Sequence, residues 1–457
     1  MTITRRKWIQ SGLAAGAVVV AGRASAQPHQ HGAPPTPTPA PMPGMPGMSD
    51  MPGMPAAPSV PTPSSVRPRS PEGDHYTPVV VPNGHTLPFE RRGGVKVFHL
   101  VAEAVKHQFA PGLDVEAWGY NGSTPGPLIE GVVGDRVRIY VTNKLPEPTT
   151  VHWHGVFLPN GMDGVGGLTQ NYIRPGKTFK YEFTLTKPGT FMYHPHFDEM
   201  TQIALGMVGM IVIHPREPAT RRVRDYSLML HEWKVPIGAA RPDPLAMNDF
   251  NVLTFNSKAF PATTPLVAEV GDLVRIRLGN LGPMDHHPIH LHGYAFDIVE
   301  TDGGQVPKSA RQPETTILVP VGSVRVLEFV ADVPGDWALH CHMTHHVMNQ
   351  MGHDAPNLIG VDTKGVDDKI QKLVPRYMSM GQTGMGDMMM MGTPRNSMSM
   401  LGGKGPFDEI DMGGMFTIVK VRKQLTEKSA AEWYVHPAGT VADEATAADI
   451  ARDGIKT

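Results

Sequence analysis

The segment VGDRVRIYVTN at residues 133–143 returns as VGDLVRIRLGN at 270–280, and each copy is followed by a histidine motif, HWHG at 152 and HLHG at 290. PGTFMYHPH at 188–196 likewise returns as PGDWALHCH at 334–342, a constant spacing of 146 residues. Self-similarity of this kind means that one structural unit is used twice. The repeated runs are rich in Val, Ile, Tyr and Phe and are bounded by Gly and Pro, of which the chain holds 49 and 45. That pattern reads as short strands joined by turns. The expected fold is therefore all-β, two copies of one domain, closed by the strands within GMVGMIVIH (206–214) and MGGMFTIVK (412–420).

The copies differ in one place. From His196 to Met210 is 14 residues, but from His342 to Met415 is 73, so the second copy carries an insertion of roughly 59 residues. We place the first domain at 76–222, the second at 223–425 with the insertion at about 353–411, and a tail at 426–457. Residues 1–26 pair TRRKWIQ with a short apolar run and ASA, which predicts a twin-arginine export signal and a periplasmic or secreted protein. The apolar run is too short for a membrane span. Residues 27–75 are Pro, Met and Gly rich and read as a disordered spacer. With 41 Lys+Arg against 43 Asp+Glu, a net charge of -2 gives no reason to seek nucleic acid or an anionic membrane.

Twelve of 22 histidines fall into four clusters: His152 and His154; His194 and His196; His286, His287, His290 and His292; His340, His342, His345 and His346. Each cluster contains H-x-H. On a strand, residues i and i+2 share a face, whereas on a helix they diverge by about 200°. Eight imidazoles can therefore converge. Cys341, the only cysteine, lies between His340 and His342 and must face away from both. A thiolate with two imidazoles and a distant thioether is a blue-copper ligand set. Cys341, an upstream histidine, His346 and Met351 supply one.

These motifs, H-x-H-G, H-x-H, H-P-x-H-x-H-G and H-C-H-x3-H-x4-M, resemble those of the multicopper oxidases, the laccase and cuprous oxidase family, over most of residues 76–425. The resemblance implies cupredoxin-like Greek-key sandwiches holding four copper ions. By position it implies a type 1 copper on His287, Cys341, His346 and Met351, and a type 2 copper on His152 and His290. His154, His194, His196, His292, His340 and His342 would hold the type 3 pair. Electrons from a one-electron donor, cuprous ion or a phenol, would pass from Cys341 through His340 and His342 to dioxygen. Asp163 stands where the family places a proton-relaying carboxylate.

The first copy has Thr149, Pro195, Met200 and Leu205 at the positions of the type 1 ligands, so it can hold no second blue site. Only 91 residues separate His196 from His287, too few for a middle domain; two-domain relatives complete the cluster between subunits of a homotrimer. His286 and His345 are off the family spacing and are expected beside the ligands or exposed. Asp285 and Met284 could line the donor site. Eleven of the 28 methionines lie between 378 and 415, and thioethers favour cuprous ion, which suits a role in copper tolerance. Acid should inhibit, because imidazole binds metal only when neutral. The rival readings are a copper-buffering protein without turnover and a copper nitrite reductase, a family that carries its type 1 cysteine in the first domain.

Overall fold

Val137, Ile139 and Val141 alternate with more exposed neighbours along Arg136–Asn143, the pattern of a strand with one face on a core. The computed structural model describes residues 70–71, 74–217, 223–350, 357–358, 369, 372–373, 378–379, 396–399 and 402–456. The export signal, most of the spacer, Met351 and most of the Met-rich insertion lie outside the described residues.

The first half carries β1 (Phe89–Arg92), β2 (Val95–Ala110), β3 (Leu113–Tyr120), β4 (Ile129–Val132), β5 (Arg136–Asn143), β6 (Thr178–Thr184) and β7 (Gly189–Tyr193), then the short helix α1 (Glu199–Ala204) and β8 (Gly209–His214). The second carries β9 (Val223–Trp233), β10 (Val252–Phe255), β11 (Leu266–Glu269), β12 (Leu273–Asn280), β13 (His287–Leu291) and β14 (Phe296–Thr301). After the two-residue β15 (Gly304–Gln305) and β16 (Pro313–Glu314) come β17 (Thr316–Val319), β18 (Ser323–Val330) and β19 (Gly335–Cys341). The paired β20 (Asn357–Leu358) and β21 (Met378–Ser379), the hairpin β22 (Gly403–Gly405) and β23 (Asp408–Ile410), and β24 (Phe416–Arg422) complete the set.

The two halves share one pairing scheme. β2 runs parallel to β5 and β5 antiparallel to β6, as β9 does to β12 and β12 to β18. In the opposing sheets β4 is parallel to β8 and β8 antiparallel to β7, matching β11, β24 and β19. Equivalent turns match too: Leu145 N–H donates to the Asn143 side chain and Gly282 N–H to that of Asn280. The sequence repeat is thus a structural repeat of two-sheet sandwiches, each with its own apolar core. The packed body starts slightly before Tyr76, since Asp74 pairs with the buried Lys96.

A third apolar cluster joins the halves, with Met192, Val208, Met210 and Val212 against Met229, Leu281, Val299, Val324 and Val326. Beside it the buried Arg277 clasps Asp225 through two bonds of 2.8 Å. Arg277 also donates to Thr190 in the first half at 2.6 Å. Glu300 accepts from the Thr190 N–H at 2.5 Å. Burial opposes both charges, yet the pairing keeps Asp225 below and Arg277 above their usual values. Removing one partner of a buried pair strands the other. Asp225→Ala should cost about 3–5 kcal/mol, read as a lower denaturant midpoint.

Candidate metal centre

β13 and β19 lie side by side with Ile289 opposite Cys341, His290 opposite His340 and Leu291 opposite Leu339. Paired residues share a face and successive residues alternate. Cys341 therefore points with Leu339 and Ile289 into the second core, while His290 and His340 point the other way. His287, two residues before Ile289, comes to the cysteine side.

There His287 Nδ1, His346 Nδ1 and Cys341 Sγ converge. The two nitrogens are 3.2 Å apart, and the sulfur is 3.8 Å from His287 and 3.4 Å from His346. A trigonal ion with N and S ligands at about 2.0 and 2.3 Å needs separations of about 3.5 and 3.8 Å, so the donors fit one ion. All three residues are buried. Burial pushes the free thiol up to about 12, so a thiolate forms here only with a cation to hold it. The axial candidate, Met351, is outside the described residues.

Behind His287 stands Glu232, fully buried on β9, with Oε2 3.3 Å from His287 Nε2. Its Oε1 accepts the N–H groups of Met284 at 2.6 Å and Asp285 at 2.7 Å. Burial alone would raise this carboxyl, but the His287 hydrogen bond and the nearby imidazoles hold it below the usual glutamate range. At the outer edge, the half-exposed Asp285 places Oδ2 3.6 Å from His346 Nε2, with Met284 exposed alongside. His286 and His345 are exposed, His286 accepting from the Val321 N–H.

The other eight histidines form two quartets. In the first half His152 bridges His194 as His290 pairs His340 in the second, so one register serves both halves. The H-x-H pairs do not lie wholly on strands as expected: β13 ends at Leu291, β19 at Cys341, and His152 and His194 meet in an isolated bridge. The rings still gather, because His292 and His342 follow β13 and β19 by a single residue and the bridge holds His152 beside His194. His154 Nδ1 is 3.2 Å from His194 Nε2, and His292 Nε2 is 3.1 Å from His340 Nε2.

Backbone carbonyls hold the outer nitrogens. His152 Nδ1 faces the Asp163 carbonyl at 2.8 Å and His290 Nδ1 that of Thr315 at 2.7 Å, leaving Nε2 of each free for a ligand. The Asp163 carboxylate lies 3.5 Å from His152 Nδ1. Gly164 follows at φ +89°, and a Cβ there would stand 1.8 Å from the Val151 carbonyl, so only glycine lets this loop press on His152. His196 Nε2 meets Glu199 on α1 at 3.1 Å. Among the described residues, the ring pairings within each quartet never cross to the other.

Among the described residues the first half gathers no cluster of this thiol kind. Thr149, in place of His287, is fully buried and donates to Gln202 at 2.7 Å, and the Gln202 amide bonds Glu147 and Pro148. A hydrogen-bond network occupies the region where the other half gathers metal donors. Sequence reading missed Glu232 and Glu199; a lone acid within SLMLHEW, a strand buried at every position, was the available signal for the first.

Models of multicopper oxidase domains match residues 102–218 and 236–358, together more than half of the chain. The chain belongs to the multicopper oxidase family. It is 32% identical over 216 residues to the multicopper oxidase MmcO of Mycobacterium tuberculosis, covering 40% of this chain and 42% of that one. It is 26% identical over 249 residues to a copper-containing nitrite reductase of Neisseria meningitidis, covering 52% and 63%. It thus spans less than two thirds of either relative. The blue copper oxidase from Nitrosomonas europaea superposes with a TM-score of 0.54 at 25% identity, covering 74% of this chain and 93% of that one. The halves are therefore cupredoxin-like, and the family implies copper as the metal and an oxidoreductase.

Burial of the imidazoles also ties the stability of the copper-free fold to pH. Burial lowers His194 to about 3 and His346 to about 4, and likewise His231 to about 4, so these imidazoles stay neutral in the fold well below 6.5. Unfolding releases them to their ordinary value near 6.5. Between those limits the unfolded chain binds more protons, so stability falls as pH falls. The copper-free protein should melt progressively lower as pH drops from about 6.5 to about 4, checked by thermal scans at constant ionic strength.

Proposed function

We propose that this protein couples one-electron oxidation of a small donor, cuprous ion foremost and phenols second, to four-electron reduction of dioxygen to water. The carrying observation is the back-to-back placement of Cys341 and His340 on β19, which joins two donor sets by a few covalent bonds. Copper would supply a one-electron acceptor on His287, Cys341, His346 and Met351, and a dioxygen-reducing centre on the eight remaining histidines, four ions in all. Asp285, at the solvent edge of His346, gives a cation donor a carboxylate to dock on. Asp163 beside His152 can pass protons inward.

The quartets each offer half of a trinuclear site. His154 with His194, and His292 with His340, make two close nitrogen pairs, each short of a third imidazole. His196 and His342 remain to complete them, and His152 and His290 each offer one Nε2 for the type 2 ion. A contact between the first half of one chain and the second half of the next would join them, and a ring of such contacts that closes at three is a homotrimer. The exposure of His292 and His342, and of Phe157, Leu168 and Leu318 near the quartets in sequence, supports a face that is covered in an assembly.

The export signal and the Met-rich insertion fit a periplasmic or secreted oxidase acting in copper tolerance. Among the described residues no helix is long and apolar enough to cross a membrane.

Oxygen uptake by the copper-loaded protein, measured with cuprous ion and with a phenol, tests the reading; nitrite consumption without oxygen uptake would overturn it. Asp285→Asn should lower the cuprous rate about tenfold, the effect of about 1.4 kcal/mol, while changing the phenol rate little. His152→Ala and His290→Ala should each lose oxygen reduction, and a reassembled mixture should regain part of it, because some interfaces then join two intact halves. Activity unaffected in a monomer would remove the trimer.

A further inference from the structure

Resting on the type 1 reading above, we infer that Glu232 is the residue that positions His287 and sets how readily the type 1 copper is reduced. Nothing in the ligand motifs requires an acid here, and a fully buried carboxylate is costly unless it is held by hydrogen bonds and a partner. Glu232 has both. Its Oε1 takes two backbone N–H groups, from Met284 and Asp285, and its Oε2 faces His287 Nε2 at 3.3 Å.

The pocket is built around the carboxylate. A Cβ on Gly282 would sit 1.7 Å from Glu232 Oε2, so any larger residue at that position would displace the carboxylate. The repeat supplies an internal control. Asn280 pairs with Leu230 across the parallel β12 and β9, and its counterpart Asn143 pairs with Ala102 across β5 and β2. Two residues further along, Glu232 therefore corresponds to Ala104, and Gly282 corresponds to Leu145. The half without a thiol has neither the acid nor the glycine. Carboxylate, glycine cradle and copper thiolate occur together or not at all.

Chemically, the acid does two things. As acceptor it fixes the His287 proton on Nε2, which leaves Nδ1 as the lone-pair nitrogen facing Cys341 and strengthens it as a ligand. As an anion in a water-poor site it favours the oxidised metal, which carries one more positive charge than the reduced form. The charge thereby holds the copper's potential down, favouring onward transfer of each electron.

Glu232→Gln keeps an oxygen for the two backbone donors but removes the charge. Titrated against a mediator of fixed potential, the variant should show a ratio of reduced to oxidised type 1 copper about tenfold higher than the wild type, or about 59 mV for one electron. Glu232→Asp, which restores the charge, should return most of the shift. Gly282→Ala alters no charged group but pushes on the carboxylate, and should move the potential in the same direction; it carries the test should Glu232→Gln fail to fold. Wild-type potentials in both Glu232→Gln and Gly282→Ala would overturn the inference. A blue band that never forms in the wild type, or that persists in Cys341→Ser, would instead remove the type 1 reading and the role of Glu232 with it.

Discussion

The antiparallel contact of β13 with β19 governs the rest of the molecule's chemistry. Because His290 stands opposite His340 and Ile289 opposite Cys341, the pleat sends the thiol into the core and the imidazoles to the opposite face of the sheet. A slip of one residue would exchange the faces and destroy both donor sets at once. The register is held from both sides, by the pairing of Ile289 with Ile317 on β17 and of Leu339 with Thr417 on β24. The apolar residues that fix the core thereby also fix which side chains can meet a metal.

Burial then makes the thiol pocket selective. In the absence of a cation, burial holds Cys341 as a neutral thiol and His346 as a neutral imidazole, so neither of these donors brings a charge of its own. A metal that can take a soft thiolate is rewarded with a ready geometry, whereas a hard oxygen-seeking cation meets few suitable atoms. The first half shows the same framework without that chemistry, since Thr149 and Gln202 satisfy each other there. Two copies of one sandwich can thus diverge at a few positions while keeping the pairing scheme of their shared strands.

Much of this was legible in the sequence because strands and their alternation depend on local pattern. The repeat, the closing strands β8 and β24 and the division of Cys341 from His340 follow from residues close in the chain or matched between copies, whereas His287 as the partner of Cys341 and His346 came from the family resemblance. What escaped depends on partners far apart. Glu232 meets His287 across 55 residues, and Thr190 meets Glu300 across 110. The H-x-H spacing was read as strand throughout, whereas His292 and His342 lie one residue past β13 and β19 and His152 and His194 meet in an isolated bridge; the carbonyls of Asp163 and Thr315, far off in sequence, aim the rings of His152 and His290.

The two donor sets also differ in what they require of the assembly. His287, Cys341 and His346 come from one half of one chain and are closed over by its own core. The quartets are each gathered locally but left open, the second with His292 and His342 exposed. Under the proposed arrangement, electron acceptance is therefore a property of the single chain, while dioxygen reduction belongs to the interface and depends on protein concentration as any association does. Joining the two is left to the backbone between Cys341 and its neighbours, which is covalent and cannot come apart when subunits exchange. Under that arrangement an electron taken up at the buried site would always reach the same chain's half of the cluster, whichever copy supplied the other half.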